Sequence, residues 1–525
     1  MKKLLVIQIF RLGDILQTTP LLAGLKERYP EAEIHLLAVE QFQRAVASNP
    51  AIDQFIPFPY VELFQRANLA EYQAVPETLS FLSRWLKTLP HDYDLIVNLS
   101  YTEMAAALAH LIGAKQIIGA DLTADSFLAF RGDWPAYCHT FINEPGPNPF
   151  HLADIYCLAA GVRPSSPGPR FYPRTEEIAL AGRIIASQGG RPGQEEIVVL
   201  HAGASRPEKR WPLSSYARLG RLLAERGYRV VLTGTAEERP EVEELAAALG
   251  PEAIIAAGRT DLGTLAGILH FSRVLISADT GPTQVATALG RPAVTICLGS
   301  VQFRTTGPYG QGSVVLEADL DCVPCADPRT CLHRRCQEAV SPLDVLAAFD
   351  QALERPFSLP ADSKSRFFKA VTNQEDGWLD WRALRSNPDD RLVSAYRRLW
   401  LRLLGPGVNL PPPLKPEPAP AQAEPFVQAE AIVSRAILTT KEALACLDRK
   451  APPSQLAELD QRLERLCQRL ADFGQAEPLV KPLVLYHAYR LASLEAKDPS
   501  VLLKSQAALH RQVRDGLRLL ALELA

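Results

Sequence analysis

Several short stretches of the chain place polar or charged side chains directly after a run of apolar residues. The first follows the apolar run Leu4–Ile9, where Gly13 would make a turn and Asp14 would open the next helix. A carboxylate at this place can take a proton from a hydroxyl group. It can equally cap the helix by accepting backbone N–H groups, and the residues alone leave both roles open.

A second stretch, residues 201–212, has the sequence HAGASRPEKRWP and falls between a predicted strand and a predicted helix. Small residues, Ser205 among them, would let backbone N–H groups approach an anion, while Lys209 and Arg210 would supply positive charge. The alternative is a solvated basic loop that binds nothing.

A third stretch, residues 277–286 with the sequence SADTGPTQVA, also joins a predicted strand to a predicted helix. The hydroxyl of Thr280 and the amides after Gly281 would face a diphosphate at the N-terminus of that helix. The alternative is an ordinary capping turn with Asp279 or Thr280 as the cap.

A fourth stretch, residues 233–239 with the sequence TGTAEER, offers Glu237 and Glu238 after a glycine at the end of a strand. Such carboxylates can hold the hydroxyls of a ribose. They can also merely complement the dipole of the helix that follows.

Four cysteines lie close together in the chain: Cys322, Cys325, Cys331 and Cys336. Four thiolates suit a tetrahedral zinc ion or another soft metal, although these spacings differ from the usual two-knuckle pattern. The alternative is a set of free or redox-active thiols. A metal here would brace the loop rather than take part in chemistry.

Two regions of alternating strands and helices must position these stretches. They are residues 1–165 and residues 170–355, and their continuous apolar runs are typical of parallel sheets covered on both faces. Two doubly wound, Rossmann-like domains in tandem create a cleft between the carboxyl ends of their strands, where open α/β folds bind ligands. We therefore predict an α/β fold with its site in that cleft.

The rest of the chain has a different character. Residues 356–404 are a connecting segment ending in an amphipathic helix, which either lies on an anionic membrane surface or packs on the protein body. Residues 405–425 are a proline-rich linker. Residues 426–525 predict a C-terminal all-α extension, a bundle of helices that would mediate self-association, bind a protein partner or add stability.

Composition excludes several classes of protein. The 525 residues include 56 Lys and Arg and 59 Asp and Glu, so the net charge of -3 gives no global case for nucleic-acid binding. Nine cysteines are too few for a disulfide scaffold of this length. Gln8, Arg11 and Asp14 interrupt the N-terminal apolar stretch, which favours a buried strand of a cytoplasmic protein over a signal peptide.

Together these motifs resemble glycosyltransferase family 9, the ADP-heptose:lipopolysaccharide heptosyltransferase family of GT-B fold. The resemblance covers about residues 1–350. It rests, in this order, on LLVIQIFRLGDILQTTPLLAGLKERYP, GASRPEKRWP, SADTGPTQVATALGRPAV and the cysteine-rich stretch ending in SPLDVLAAF.

The resemblance implies roles for individual residues. Asp14 corresponds to the family's proposed catalytic base, and Lys209 to a lysine that stabilises the departing diphosphate. The positions implied to bind the donor are Gly13, Ser205, Arg210, Thr280, Gly281 and Gln284, with Glu237 or Glu238 at the nucleoside. The family commonly has His where this chain has Gln284, and glutamine can donate a hydrogen bond to a phosphate but carries no charge.

The function implied is inverting, metal-independent transfer of a heptose or related sugar from a nucleotide diphosphate, ADP-heptose first, to a lipopolysaccharide-core or similar lipid-linked glycan. No cofactor would be needed for catalysis, and the protein would work in the cytoplasm or at the inner face of the membrane. Two alternatives stay open. One keeps the fold but changes the nucleotide sugar and the glycan acceptor, and the other is a non-catalytic scaffold that binds nucleotides or glycans.

Overall fold

The structure is a computed structural model that describes the chain except for residues 68–73, 144–147, 326, 328–330, 386–388, 406–419, 496–497 and 525. It contains two α/β halves, each built on one sheet, and a helical C-terminal part. This is the fold class that the alternating pattern predicted.

The first half begins the chain. Its strands are β1 (Lys3–Gln8), β2 (Glu33–Val39), β3 (Gln54–Phe58), β4 (Tyr93–Asn98), β5 (Ala114–Leu122) and β6 (Leu128–Arg131). Its helices are α1 (Leu12–Gln17), α2 (Thr19–Arg28), α3 (Tyr60–Ala67), α4 (Ala74–Leu86), α5 (Glu103–Ile112), α6 (Asp133–Asn143) and α7 (Leu152–Ala160), with a 3-10 turn at Glu40–Ala45.

Strand β1 lies at the centre of the first sheet, whose order is β3-β2-β1-β4-β5-β6. Val6 of β1 lies opposite Leu36 of β2 and Val97 of β4, and both pairings are parallel. The side chains of β1 from Leu4 onward are buried on both faces, as expected of a strand in a sheet covered by helices. Because the strand order reverses beside β1, the loop after β1 opens at the place where such sheets bind ligands.

The second half repeats this plan. Its strands are β7 (Ile197–His201), β8 (Arg229–Thr233), β9 (Ile254–Ile255), β10 (Ser272–Ala278), β11 (Ala293–Cys297), β12 (Val314–Ala318), β13 (Ser365–Thr372) and β14 (Leu379–Ala383). Its helices are α8 (Thr175–Ala186), α9 (Leu213–Glu225), α10 (Arg239–Leu249), α11 (Leu262–Phe271), α12 (Gly281–Ala288), α13 (Phe303–Thr306), α14 (Arg335–Ala339) and α15 (Pro342–Ala352), with a 3-10 turn at Pro207–Lys209.

The second sheet has the order β14-β13-β12-β11-β10-β7-β8-β9 and reverses between β7 and β10. The loops after these two adjacent parallel strands carry the second and third sequence stretches. Strands β13 and β14 extend the sheet with antiparallel pairing. The sheet therefore continues past residue 355, where sequence analysis ended this half. The hairpin of β13 and β14 lies in the segment that sequence analysis interpreted as a connector.

The remaining elements are helices: α16 (Asp389–Leu404), α17 (Pro420–Asp448), α18 (Pro453–Ala476), α19 (Lys481–Ala492) and α20 (Pro499–Leu524). The last four agree with the predicted bundle. Helix α17 begins at Pro420, inside the predicted linker, because alanine and glutamate of that stretch favour a helix.

Helix α16 packs on the body of the protein. Tyr396, Leu399 and Trp400 of its apolar stripe are buried, and the indole of Trp134 in α6 donates to the carbonyl of Leu404 at 3.1 Å. The stripe that suggested a membrane surface is therefore covered by protein. Among the residues that the structure describes, no helix combines the length and the apolar character needed to cross a bilayer.

Candidate functional site

Asp14 lies in the first turn of α1, directly after the carboxyl end of β1. Arg11, not Asp14, is the N-cap residue that precedes this helix, and its backbone N–H donates to Oδ2 of Asp14 at 3.3 Å. Burial raises the pKa of Asp14 above its ordinary value, the N–H and charge of Arg11 oppose that rise, and the charge of Asp279 adds to it. A raised pKa makes this carboxylate a stronger base once it is ionised.

A break in the helix sets the direction of α1. Sequence analysis expected Asp14 to open the helix after β1, whereas the structure has two helices there, which meet at Thr18. Pro20 explains the break, because it has no backbone N–H and its ring would clash with the carbonyl of Leu16 in a continuous helix. The short α1 is thus free to take its own direction at the carboxyl end of β1.

The second half contributes a lysine and a carboxylate from the loops after β7 and β10. Nζ of Lys209 lies 3.0 Å from Oδ2 of Asp279, and these side chains are only 19% and 16% exposed. Asp279 also lies close enough to Asp14 to raise its pKa. Asp14, Lys209 and Asp279, called the charge cluster below, therefore combine side chains from both sheets.

The sequence gives little signal for the role of Asp279, which it suggests only as a helix cap. Residues 209 and 279 are far apart in the chain, and they meet because β7 and β10 are neighbours in the sheet. An acidic residue after one strand and a basic residue after another would indicate such an ion pair only if the two strands were known to be neighbours in the sheet.

Helices α1 and α12 meet beside the charge cluster. Nε2 of Gln17 donates to Oε1 of Gln284 at 3.3 Å, and Nε2 of Gln284 donates to the carbonyl of Thr306 at 2.7 Å. The Gln284 amide thus binds protein groups on both sides. The structure uses this residue to join the two halves, whereas sequence analysis expected it to face a phosphate.

Two glycines allow this close approach of the halves. A β-carbon on Gly13 would come within 3.4 Å of Cγ of Gln284, and one on Gly281 within 3.3 Å of Cδ2 of Leu12. A β-carbon would thus make ordinary contact at Gly13 and a slightly tight contact at Gly281. Gly13 and Gly281 therefore leave little space for a longer side chain between α1 and α12.

Thr280 precedes α12 in extended backbone, and its side chain makes no capping bond to the helix. Its hydroxyl donates to the carbonyl of Ala278 at 3.4 Å, which is long for a hydrogen bond between oxygens and therefore weak. The hydroxyl can exchange this bond for a better acceptor at the N-terminus of α12, as the phosphate-binding hypothesis requires.

The structure distinguishes Glu238 from Glu237. Oε2 of Glu238 accepts from the backbone N–H of Thr235 at 2.8 Å, and a β-carbon on Gly203 would lie 2.0 Å from Oε1 of Glu238. The Glu238 carboxylate thus lies over the loop that leads to Lys209. Glu237 is exposed, and its own backbone N–H and the hydroxyl of Thr235 lower its pKa.

His201 is a residue that sequence analysis did not single out. It is buried at the end of β7, where Nδ1 lies 3.3 Å from Oγ1 of Thr233. Burial lowers the pKa of His201, and the negative charge of Glu238 opposes that change. The lowered pKa favours the neutral form of the His201 imidazole, which lies close enough to Glu238 to sense its charge.

Arg210 and Ser205, which sequence analysis predicted as phosphate ligands, lie on the same loop as Lys209 but outside the charge cluster. Arg210 donates from Nε to the carbonyl of Ala204 at 3.1 Å and from Nη1 to Oε1 of Glu241 at 3.2 Å. Ser205 is exposed on the same loop. The structure does not bring Arg210 into the charge cluster, so its observed role is to brace the loop against α10.

The four cysteines lie close together, because burial raises the pKa of Cys325 and the charges of Cys336, Cys331 and Cys322 add to that rise. They are not arranged as a metal site in the described part of the chain. Cys322 is exposed, Cys325 and Cys331 are half-buried and Cys336 is buried, and the loop between them includes residues outside the described part of the chain. Within the parts that the structure describes, no three His, Cys, Asp or Glu side chains are arranged to hold a metal ion. The zinc interpretation is therefore unsupported.

Comparisons with known proteins agree with this architecture. The sequence model of glycosyltransferase family 9 (heptosyltransferase) matches residues 82–334. Lipopolysaccharide heptosyltransferase 1 of Pseudomonas aeruginosa is 29% identical over 341 residues, which cover 64% of this chain and 89% of that protein. Lipopolysaccharide heptosyltransferase 2 of Salmonella typhimurium is 24% identical over 306 residues, covering 56% and 82%.

A solved structure shows the same fold. The crystal structure of a family 9 glycosyl transferase from Veillonella parvula aligns with a TM-score of 0.54 at 22% identity, covering 67% of this chain and 98% of that one. With these relatives, the two α/β halves that meet at the carboxyl ends of their strands show that the protein is a glycosyltransferase. More particularly, residues 82–334 match glycosyltransferase family 9, the heptosyltransferase family.

Proposed function

We propose that the protein is an inverting GT-B glycosyltransferase that moves a heptose, or a closely related sugar, from ADP-heptose to a hydroxyl of a lipopolysaccharide-core or similar lipid-linked glycan. The observation that carries this proposal is the charge cluster, which joins a base from the first half to a cation from the second. The relatives named as lipopolysaccharide heptosyltransferases support the choice of sugar and acceptor.

In this proposal Asp14 activates the acceptor. A sugar hydroxyl is a poor nucleophile until its proton is removed, and Asp14 would accept that proton as the hydroxyl oxygen attacks the anomeric carbon of the donor. The bond to the diphosphate breaks on the opposite face of the sugar. One displacement of this kind inverts the anomeric centre.

The second half would stabilise the leaving diphosphate. Lys209 supplies a positive charge, the Thr280 hydroxyl supplies a hydrogen bond, and the N-terminus of α12 supplies a favourable dipole. Asp279 would act as a positioning residue, because its ion pair holds Nζ of Lys209 at the cleft. These groups offset the developing charge themselves, so we propose a reaction without a metal ion.

The two halves would divide the substrates between them. Residues 1–165 would form the acceptor-side domain and residues 170–355 the nucleotide-sugar domain, with Glu238 as the contact to the ribose. The acceptor would lie on the cytoplasmic face of the inner membrane, and the protein would meet it there from solution. Neither substrate is a nucleic acid.

A transfer assay tests the proposal. Purified protein is incubated with ADP-heptose, UDP-sugars or GDP-sugars and a lipopolysaccharide-core acceptor, with and without EDTA, and the anomeric configuration of the product is read by NMR. We expect transfer from ADP-heptose with inversion, unaffected by EDTA. Asp14→Asn should remove activity and Asp125→Asn, at an exposed aspartate, should keep it. Retention of configuration or full activity of Asp14→Asn would reject this mechanism.

One observation favours a second candidate with the same fold but a different donor. Gln284 carries no charge and its amide is already bound to Gln17 and Thr306, so the donor phosphates lose one expected contact. Thermal unfolding with ADP, UDP and GDP distinguishes the candidates, because a bound nucleotide raises the unfolding temperature. Stabilisation by UDP or GDP rather than ADP would favour the second candidate.

A further inference from the structure

Two adjoining cavities lie in the first half, outside the charge cluster. One, of about 790 Å³, lies at the carboxyl ends of β2 and β3. Its lining is mixed, because Glu40, Gln41 and Gln65 are polar but most of its surface is apolar. The other, of about 310 Å³, lies between α5 and the pair α3 and α4. The first is the more polar of the two and is called the polar cavity below, and the second is called the apolar cavity. Phe58 and Tyr60 line both, so the two cavities meet at these residues.

The lining of the apolar cavity is almost entirely apolar. Leu63 comes from α3, Leu82 from α4, and Met104, Leu108 and Leu111 from α5. The last three stand at positions i, i+4 and i+7, so they form one stripe of the helix. Met104 and Leu111 are 44% and 57% exposed, so this apolar surface is open to a ligand.

The two cavities continue the sheet edge that carries the charge cluster. Strands β3, β2 and β1 are adjacent and parallel, so their carboxyl ends share one edge. Asp14 follows β1, and the polar cavity follows β2 and β3. Neighbouring strands are ~4.8 Å apart, so an acceptor with its reacting hydroxyl at Asp14 would reach the polar cavity within the length of a sugar unit or two.

We propose that the apolar cavity binds an alkyl chain of the lipid-linked acceptor, while sugar units of that acceptor occupy the polar cavity. This inference rests on the proposed function and names a subsite for its acceptor. Polarity falls along the edge, from the charged base through the mixed lining of the polar cavity to the apolar cavity, and the groups of a glycolipid follow the same order. The apolar cavity is at the small end of the range for ligand sites, which suits a chain better than a helix with a diameter of about 10 Å.

Methionine NMR gives a direct test that does not depend on transfer. The chain has two methionines, Met1 and Met104, so protein labelled with ¹³C-methyl methionine gives one probe in the apolar cavity and one internal reference. Met104→Leu assigns the signals. We expect a decyl glycoside below its micelle concentration to shift the Met104 signal in a saturable way and leave Met1 unmoved, whereas the methyl glycoside shifts neither.

A filling variant and a matched control sharpen the test. Ala107→Trp places an indole in the apolar cavity, and we expect it to weaken decyl glycoside binding by about tenfold or more. Ala247→Trp, at an exposed position of α10, should bind like the wild type. In transfer assays, the ratio of kcat/KM for the intact acceptor to that for its deacylated form should fall toward one in Ala107→Trp but not in Ala247→Trp.

The outcomes separate the subsite from the proposed function. Absence of transfer with a saturable Met104 shift would reject the function and keep the cavity as an alkyl-chain site. A Met104 signal that ignores the decyl glycoside, or that shifts equally in Ala107→Trp, would overturn the subsite even if transfer occurs. Broadening of the Met104 signal with protein concentration alone would also overturn it, because a second copy would then occupy this surface.

Discussion

Asp14 must meet two opposing requirements. Burial favours its protonated form, whereas accepting a proton requires the carboxylate. Because folding raises the pKa of this group, its contribution to stability is present at low pH, where it is protonated, and is lost as the pH rises through the folded-state pKa. At neutral pH the ionised Asp14 therefore lowers the free energy of unfolding, and catalysis is the reason to keep it.

This conflict predicts opposite effects of one substitution on rate and stability. Asp14→Asn keeps an oxygen that can accept the Arg11 N–H but removes the half-buried charge. We expect transfer to fall by about 10²–10⁴, while the free energy of unfolding in urea at neutral pH stays the same or rises. A large loss of stability in the variant would show that the carboxylate is structural instead.

The Lys209–Asp279 pair predicts a graded loss of rate. Lys209→Met removes the charge but keeps most of the side-chain volume, so we expect kcat to fall by about 10²–10³ with little change in the KM for the acceptor. Asp279→Asn leaves the lysine but loosens its position, so its kcat should fall less. Steady-state kinetics of both variants tests this order, and a normal kcat in Asp279→Asn would make the ion pair incidental.

At the scale of elements, a buried polar network joins α7, β14 and α16. Asp154 accepts from the hydroxyl of Tyr309 at 2.6 Å and from the N–H of Leu379 at 3.1 Å. Arg397 pairs with Asp376 at 2.8 Å, and both side chains are buried. Burial raises the pKa of Asp154 to about 7, although the Tyr309 bond and the Arg397 charge oppose the rise.

The network predicts a pH-dependent stability. Because the pKa of Asp154 is raised on folding, its contribution is complete below an unfolded-state pKa of about 4 and is lost as the pH rises to about 7. Asp154→Asn mimics the protonated form. Between these pH values, we expect the free energy of unfolding of the wild type to fall more steeply with rising pH than that of Asp154→Asn. The difference in slope should be up to about 1.4 kcal/mol per pH unit. Parallel urea titrations that give equal slopes would contradict the assignment.

Local sequence patterns predicted most strands and helices but not the contacts between distant ones. The apolar run Leu4–Ile9 was enough to place β1, because such a run reflects burial of one segment. The antiparallel pairing of β13 with β12 and the contact of Gln17 with Gln284 depend on segments far apart in the chain. Such contacts are selected by tertiary packing, so single-segment patterns carry almost no signal for them.

At the scale of the whole molecule, the C-terminal part touches both α/β halves. Nη1 of Arg397 in α16 donates to the carbonyl of Leu379 in β14 of the second half at 3.1 Å. The hydroxyl of Tyr486 in α19 donates to Asp133 of the first half at 3.1 Å. The ring of Trp400 in α16 lies 4.9 Å from the ring of Tyr137 in α6 and 5.3 Å from the ring of Tyr486 in α19. Any opening of the cleft must therefore strain or move these contacts.

This arrangement predicts that the bundle and the α/β halves unfold together. Trp400→Ala should destabilise the protein by about 3–5 kcal/mol and Leu517→Ala, at a buried position of α20, by about 2–5 kcal/mol. Calorimetry should show each variant lowering the temperature of the same transition. Were the bundle an independent appendage, Leu517→Ala would shift one transition and leave a second unmoved, and the contacts of Trp400 would then not couple the bundle to the enzyme body.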